Sequence, residues 1–335
     1  METKPHLTAD EYMRIFRYPK KSLAMLIEFY IREMNGVDTG KPIRLLGESH
    51  VYSLRRLQND AIGLVIATDL TKHHWIDYAK RRFETVCAAT INGEVGYGSG
   101  VLKYAGSAPG WDCDDVSGAS VEAARPFLVK HGYIGKSAAR TRVPTDEEIE
   151  RLLARAAEPA KKSVKGFIYA MPDIIAFALV SSRRIGEICS ITHADVRWDH
   201  KDEKGTTAPI YWVRDMKHPT QKKGNDKSFP LFPALAEIIS RQPRVEGDDR
   251  IFPFNSKSVG AKYTIFKREL GIEGLHFHDN RAEAITNWLK KLPPHKVRQF
   301  VSGHRGEGAF NRYVRTNSAD GHEAVRQAEA ERMAA

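Results

Sequence analysis

The chain has 335 residues, 41% of them hydrophobic, enough for about two domains with cores of their own, which excludes disorder over most of the length. Lysine and arginine outnumber aspartate and glutamate by 52 to 42; the net charge of +10 and the pI near 9.4 point to a polyanion, most often nucleic acid. The longest purely apolar run, Ile174 to Val180, is far short of the roughly 20 residues of a membrane span, and Cys87, Cys113 and Cys189 are too scattered for a disulfide framework, so a reducing intracellular compartment is expected.

Residues 1–19 are polar, open no signal peptide, and are expected to form a flexible N-terminus. From Lys20 to Asn35, Leu23, Leu26, Ile27, Tyr30, Ile31 and Met34 recur at helical spacing, with Gly36 as a stop. Further helices are expected over Ser49–Gln58, Thr71–Thr90 and Ser117–Lys130. Gly96-x-Gly98-x-Gly100 is not a dinucleotide fingerprint and reads as a loop or a helix break. Residues 20–135 therefore read as a helical bundle, and the basic stretch 136–144, with Arg140 and Arg142, as a linker.

Pro144-Thr145-Asp146-Glu147-Glu148 has the form of a helix start: a cap, acids in the first turn, and an apolar run behind. A helix over about Pro172–Val180 and a short one from Arg184 follow, then strands near Asp195–Trp198, Ala208–Arg214 and Ser228–Leu231. The last two flank a polar loop, Asp215–Lys227, which reads as a hairpin with a long tip. Helices then dominate: Ser256–Glu269, Asp279–Lys290, Pro294–Val301, Gly308–Val314 and an Ala/Glu-rich one at 318–334. The fold class is mostly α with a small antiparallel β-sheet.

Five stretches of the second part carry groups suited to a phosphodiester. They are Ser181-Ser182-Arg183-Arg184-Ile185-Gly186-Glu187, Met216-Lys217-His218-Pro219, His278-Asp279-Asn280-Arg281, Ser302-Gly303-His304 and Asn311-Arg312-Tyr313. Taken singly, each has a plainer reading. Arg184 and Glu187 could be a surface i,i+3 pair, His278 a capping or core histidine, Tyr313 a packed aromatic, and the hairpin lysines a solvated basic loop. His276-x-His278 lacks a third ligand at useful spacing for a metal.

Together, in this order, they resemble the tyrosine recombinases, the phage integrase family of site-specific DNA recombinases. The likeness rests on Arg184 with Glu187, Lys217 on a hairpin, His278 with Arg281, Gly303-His304, and Tyr313 nine residues after that histidine. It covers about residues 141–315. Ser182 departs from a common glycine, Ser302 from a leucine, and Asn280 and Ala282 from the frequent residues around Arg281. These departures put turn geometry in question rather than chemistry.

The resemblance implies a helical core-binding domain (20–135), a linker (136–144), a mixed catalytic domain of the DNA breaking-rejoining type (145–316) and a C-terminal tail helix (317–335). It implies cleavage and rejoining of DNA strands through a 3′-phosphotyrosyl intermediate, integrating or excising a phage or other mobile element. A type IB topoisomerase-like enzyme and a non-catalytic DNA-binding relative are the alternatives. Arg184 and Arg281 would clamp the non-bridging oxygens, which two guanidinium forks do and lysine cannot. Tyr313 would be the nucleophile, His278 would exchange a proton with it, and His304 would donate to a phosphate oxygen. Lys217, or Lys222 in its place, would protonate the leaving 5′-oxygen, and Glu187 would hold the Arg184 turn. Lys222, Lys223, Arg140 and Arg142 are the expected DNA contacts. With Arg, Lys and His supplying charge, no metal, cofactor or ATP is required. The implied partners are double-stranded DNA with att-type core sites, a homotetramer on two such sites, and DNA-bending and directionality proteins. The implied place is the bacterial or phage-infected cytoplasm, at the nucleoid.

Overall fold

The structure is a computed structural model that describes residues 20–137, 140, 142–158, 167–216, 223–311 and 313, with 326, 329 and 333 in isolation; for 167–169 and 309 it describes the backbone alone. The expected flexible stretch 1–19, Lys217, Lys222 and most of the expected tail helix lie outside these residues. The chain divides into two compact units, Met1–Ala138 and Ala139–Ala335.

The first unit holds five α-helices among the described residues: α1 (Leu23–Asn35), α2 (Glu48–Gln58), α3 (Lys72–Phe83), α4 (Ala88–Ala105) and α5 (Ala119–Lys130). Ser22 caps α1, and Gly36, left-handed at φ 66°, ends it. The buried stripe of α1 (Leu23, Leu26, Ile27) meets Leu54 and Leu57 of α2, Trp75 and Tyr78 of α3, and Val95 and Leu102 of α4 in one core.

The expected single helix over Thr71–Thr90 is two, broken between Phe83 and Ala88. The glycines read as a loop lie inside the continuous helix α4. Ile91, Val95, Leu102 and Ala105 keep helical spacing through them, and tertiary burial offsets the cost of the glycines. Gly98 has a packing reason: a Cβ there would stand 2.6 Å from the Trp75 ring. Gly100 has none, since nothing lies within 4 Å.

The second unit begins with α6 (Asp146–Ala157), started by a capping box in which Thr145 and Glu148 satisfy each other's backbone N–H. Helix α7 (Phe167–Ser181) starts earlier than its expected opening at Pro172 and runs through that proline. Met171, Ile174, Phe177 and Ala178, all fully buried, supply the packing that overrides it. A four-residue helix α8 (Ile185–Ile188) follows. The sheet is antiparallel in the order β1 (Val196–Arg197), β2 (Ile210–Val213), β3 (Lys227–Pro230), with Tyr211 opposite Phe229 and Val213 opposite Lys227. A helix α9 (Pro233–Ser240), unforeseen in the sequence, packs Leu235, Ile238 and Ile239 into the core. Helices α10 (Ser256–Glu269) and α11 (Asp279–Leu289) come next. The expected helix over Pro294–Val301 is one α-turn, Pro294–Lys296, that widens to a π-helical turn over Val297–Ser302. A short α12 (Glu307–Phe310) leads to Tyr313. Among the described residues no helix is long and apolar enough to cross a membrane.

Two alanine substitutions in α4 separate packing from propensity. Gly98→Ala should lower the stability of the first unit by about 1–3 kcal/mol through overpacking against Trp75. Gly100→Ala should raise it by about 0.5–1 kcal/mol. Urea denaturation of the full chain, followed by tryptophan fluorescence, tests both; equal effects would contradict this packing.

Candidate active site

The site is built on a seam between two turns of the second unit. The first turn, Ser181–Arg184, links α7 to α8. Ser182 is fully buried at φ 55°, a left-handed conformation uncommon outside glycine, and its Oγ donates to the Val301 carbonyl at 3.1 Å. The second turn, Val301–His304, closes the π-helical turn. Gly303 is left-handed at φ 71°, and a Cβ there would lie 2.8 Å from Phe229, so both shape and space call for glycine.

Arg281, on the first turn of α11, joins the two. It is 1% exposed, donates through Nη1 to the Ser182 carbonyl, and through Nη2 to the Ser302 carbonyl at 2.9 Å. Nη2 also lies 3.2 Å from His304 Nε2. Its Nε is buried with no hydrogen-bond partner among the described residues. Burial and then the charges of Arg183 and Arg184 push Arg281 down to about 10, so it stays charged at neutral pH.

Arg184 caps α8. Glu187 accepts its backbone N–H at 3.0 Å and its Nη1 at 2.6 Å. Glu187 is buried, which raises its carboxyl, but Arg183 and Arg184 more than offset this and hold it below the ordinary carboxylate range. The Arg184 side chain keeps 29% exposure and lines an open cleft of about 640 Å3 with Arg183, Glu187, Arg214, Phe277 and His278. His278 caps α11; burial, then Arg281 and Arg184, lower its basicity, so it is neutral at pH 7.

His304 is held at about 3 by burial and by Arg281, Arg184 and Arg183. Ser302 Oγ donates to the Arg298 carbonyl at 3.2 Å and lies 2.9 Å from His304 Nδ1. This pattern assigns the imidazole proton to Nδ1 and leaves Nε2 as an acceptor facing Arg281. Tyr313 stands beside His304, ring centroids 5.4 Å apart and tilted 40°, packed against the buried cluster of Ile285, Val297, Val301 and Phe310. Its N–H donates to the Phe310 carbonyl at 2.8 Å.

Of the expected catalytic residues, Arg184 and His278 thus share the cleft, Arg281 and His304 meet across the seam, and Tyr313 lies against His304. Lys217 and Lys222 fall outside the described residues, and Lys223 is exposed. Arg140 and Arg142, expected on DNA, are committed to their own unit. Arg140 pairs with Asp279 at 2.7 Å and donates to Gly274, and Arg142 pairs with Glu148. Three groups drew no site role from the sequence. Arg183 is buried under the turn, Arg214 pairs with Asp195 and Asp226 at the cleft edge, and Lys227 lies on β3. Burial, then Arg183, Arg305 and Arg298, lower the Lys227 ammonium. The Arg-Arg doublet and the Lys-x-Phe alternation on β3 were the available signals.

The family model described as "Phage integrase family" matches residues 142–320. A putative integrase/recombinase of Haemophilus influenzae is 24% identical over 273 residues, covering 77% of each chain. A shufflon-specific DNA recombinase of Escherichia coli is 29% identical over 143 residues, 42% of this chain and 33% of that one. Among solved structures, the Tn1549 transposon integrase in complex with a circular intermediate DNA aligns with a TM-score of 0.63 at 13% identity, over 92% of this chain and 99% of that one. A lambda integrase tetramer bound to a Holliday junction aligns with a TM-score of 0.59 at 16% identity, over 90% and 83%.

The depressed histidine gives a sign to the acid response. His304 resists protonation in the fold, so between about pH 3 and the ordinary 6.5 the unfolded chain binds the extra proton. Stability therefore falls as the pH drops through that window. His304→Gln removes this contribution, and its urea midpoint should fall less than the parent's between roughly pH 7 and pH 4. Parallel lines for the two proteins would refute the buried neutral imidazole.

Proposed function

The chain belongs to the phage integrase family, the site-specific tyrosine recombinases, and we propose that it cleaves and rejoins DNA with Tyr313 as nucleophile. The observation that carries this reading is Tyr313 lying against His304 while Arg281, bound to the same histidine, keeps a buried Nε without a partner among the described residues. An uncompensated buried guanidinium donor is costly and suits an arriving anion.

In this reading the Tyr313 oxygen attacks phosphorus and its proton passes to neutral His278. Arg184 and Arg281 stabilise the charge that builds on the non-bridging oxygens. The 5′-oxygen leaves as a hydroxyl, protonated by a lysine of the Asp215–Lys227 hairpin, with Lys217 first and Lys222 second. The 3′-phosphotyrosyl bond conserves the energy of the one broken, so a 5′-hydroxyl can attack it and release Tyr313 without ATP. His304 orients Arg281, and Glu187 holds Arg184. No step calls for a metal.

The solved relatives are integrases described with circular intermediate DNA or as a tetramer on a Holliday junction, which supports double-stranded DNA as partner and a homotetramer on two core sites. Residues 20–135 would grip the DNA as core-binding domain, 145–316 would carry the chemistry, and Lys222 and Lys223 would contact phosphates from the hairpin. Integration or excision of a phage or mobile element would follow, at the nucleoid, with DNA-bending and directionality proteins acting on that assembly.

The test is a nicked duplex copied from the junction between the chromosome and the element that encodes the chain. The parent should form a covalent adduct in the presence of chelator. Tyr313→Phe should form none, and Arg281→Lys should slow adduct formation by about 10²-fold or more. An adduct that survives Tyr313→Phe would overturn the assignment.

A further inference from the structure

Beneath the Arg184 turn lies a second arginine that the reaction above does not use. Arg183 is 1% exposed. Its Nε donates to the Ser181 carbonyl at 3.0 Å, its Nη2 to the Val301 carbonyl, and its guanidinium carbon sits 3.8 Å from the centre of the Phe229 ring. Nη1 is buried without a hydrogen-bond partner among the described residues. One planar fork thus spans the two turns that carry the site, Ser181–Arg184 on one side and Val301–His304 on the other, with β3 as its floor.

We propose that Arg183 is a positioning residue: by tying the Ser181 carbonyl to the Val301 carbonyl over Phe229, it sets the separation of Arg184, Arg281 and His304 around the phosphate. The inference rests on the strand-transfer reading, since it names what holds that reading's parts in register. Three features favour it over a bland buried cation. The fork geometry joins two chain segments 118 residues apart, as the Arg183–Val301 bond shows. The same seam is tied twice more, by Ser182 Oγ to Val301 and by Arg281 to both Ser182 and Ser302, so Arg183 closes a three-point lock. Its charge is also felt on every side of the site: among the groups facing it, Arg281, His304 and Lys227 are all lowered by it and Glu187 is held ionised by it. Lysine cannot reproduce a planar two-carbonyl bridge, and an apolar residue of similar length would fill the slot over Phe229 without the bridge or the charge.

The experiment uses the full chain, its Arg183→Met and Arg183→Lys variants, and two readouts. The first needs no DNA: the His304 ring is followed by NMR, assigned through His304→Gln. In the parent it should stay neutral to below roughly pH 4, in Arg183→Met it should titrate between roughly pH 4 and 7, and Arg183→Lys should resemble the parent. The second is single-turnover adduct formation on the nicked junction duplex. Both variants should slow by about 10²-fold while the Kd for the duplex stays within about threefold of the parent, because register is lost rather than a DNA contact. Arg183→Met with the parent's rate and the parent's His304 titration overturns the proposal. So does a loss of rate matched by a loss of DNA affinity, or failure of both variants to fold, which would leave Arg183 a purely structural role. A parent that forms no adduct defeats the strand-transfer reading instead, and the histidine titration then decides on its own whether Arg183 governs His304.

Discussion

A buried guanidinium that donates to backbone carbonyls is the constraint on which this site depends. Arg281 is almost fully withdrawn from water, and the cost of moving such a charge into protein is several kcal/mol unless its donors are met. Three of its contacts are supplied by groups that cannot move far: the carbonyls of Ser182 and Ser302 and the ring of His304. The turns between α7 and α8 and after the π-helical turn are therefore held in one relative position. A carboxylate could have met the same donors, but it would neutralise the charge. Carbonyls satisfy the hydrogen bonds and leave the positive charge available to a phosphate.

The same choice explains the histidines. Arg183, Arg184 and Arg281 together make protonation of any neighbour unfavourable, and burial adds to this. His278 and His304 are both lowered, His304 the further. A neutral imidazole can accept a proton or a hydrogen bond, which a cation cannot. Glu187 is an acid that faces this group, and it is held ionised by Arg183 and Arg184 while fixing the start of α8. Positive charge is concentrated where an anion would sit, and the proton-handling groups around it are kept uncharged.

What the sequence disclosed follows from which residues have no substitute. Arg184, His278, Arg281, His304 and Tyr313 were singled out by their resemblance to the order of the family's motifs, and what the fold adds is that Arg281 lies against His304 and His304 against Tyr313. Helix α1 was legible because its apolar residues keep a 3.6 period and Gly36 marks its end, while its start at Ser22 came from the fold. Helix α4 was not, because its four glycines mask the apolar stripe of Ile91, Val95, Leu102 and Ala105, and only the fold shows the Trp75 ring lying against Gly98. Helix α9 was hidden in a short apolar run behind Pro233, too brief for periodicity to separate it from strand or loop. For Arg140 the sequence offered only its charge, because a linker says nothing of its intramolecular partners; Asp279, 139 residues away, could be found only in the fold. Arg183 was invisible for a related reason. A basic residue beside Arg184, the arginine proposed to hold the phosphate, reads as solvated, and nothing local says that α7 and β3 enclose it.

The two departures from the family pattern that bear on turn geometry fall on this same seam. A non-glycine residue in the left-handed region costs roughly 1–2 kcal/mol, and Ser182 bears that cost. Its hydroxyl returns a buried hydrogen bond to Val301, worth about 1 kcal/mol, that glycine could not make. Ser302, where leucine is common, is also fully buried, and its Oγ is shared between the Arg298 carbonyl and the His304 ring. Leucine would fill the space but leave Nδ1 without this partner and the tautomer undetermined. Both substitutions thus exchange apolar packing or backbone ease for a polar tie across the two turns. That exchange is favourable only where the turns must also hold buried guanidiniums in place, because a charge whose partners are backbone carbonyls loses them whenever the backbone shifts. Serine at both positions and arginine at 183 are for this reason parts of one solution.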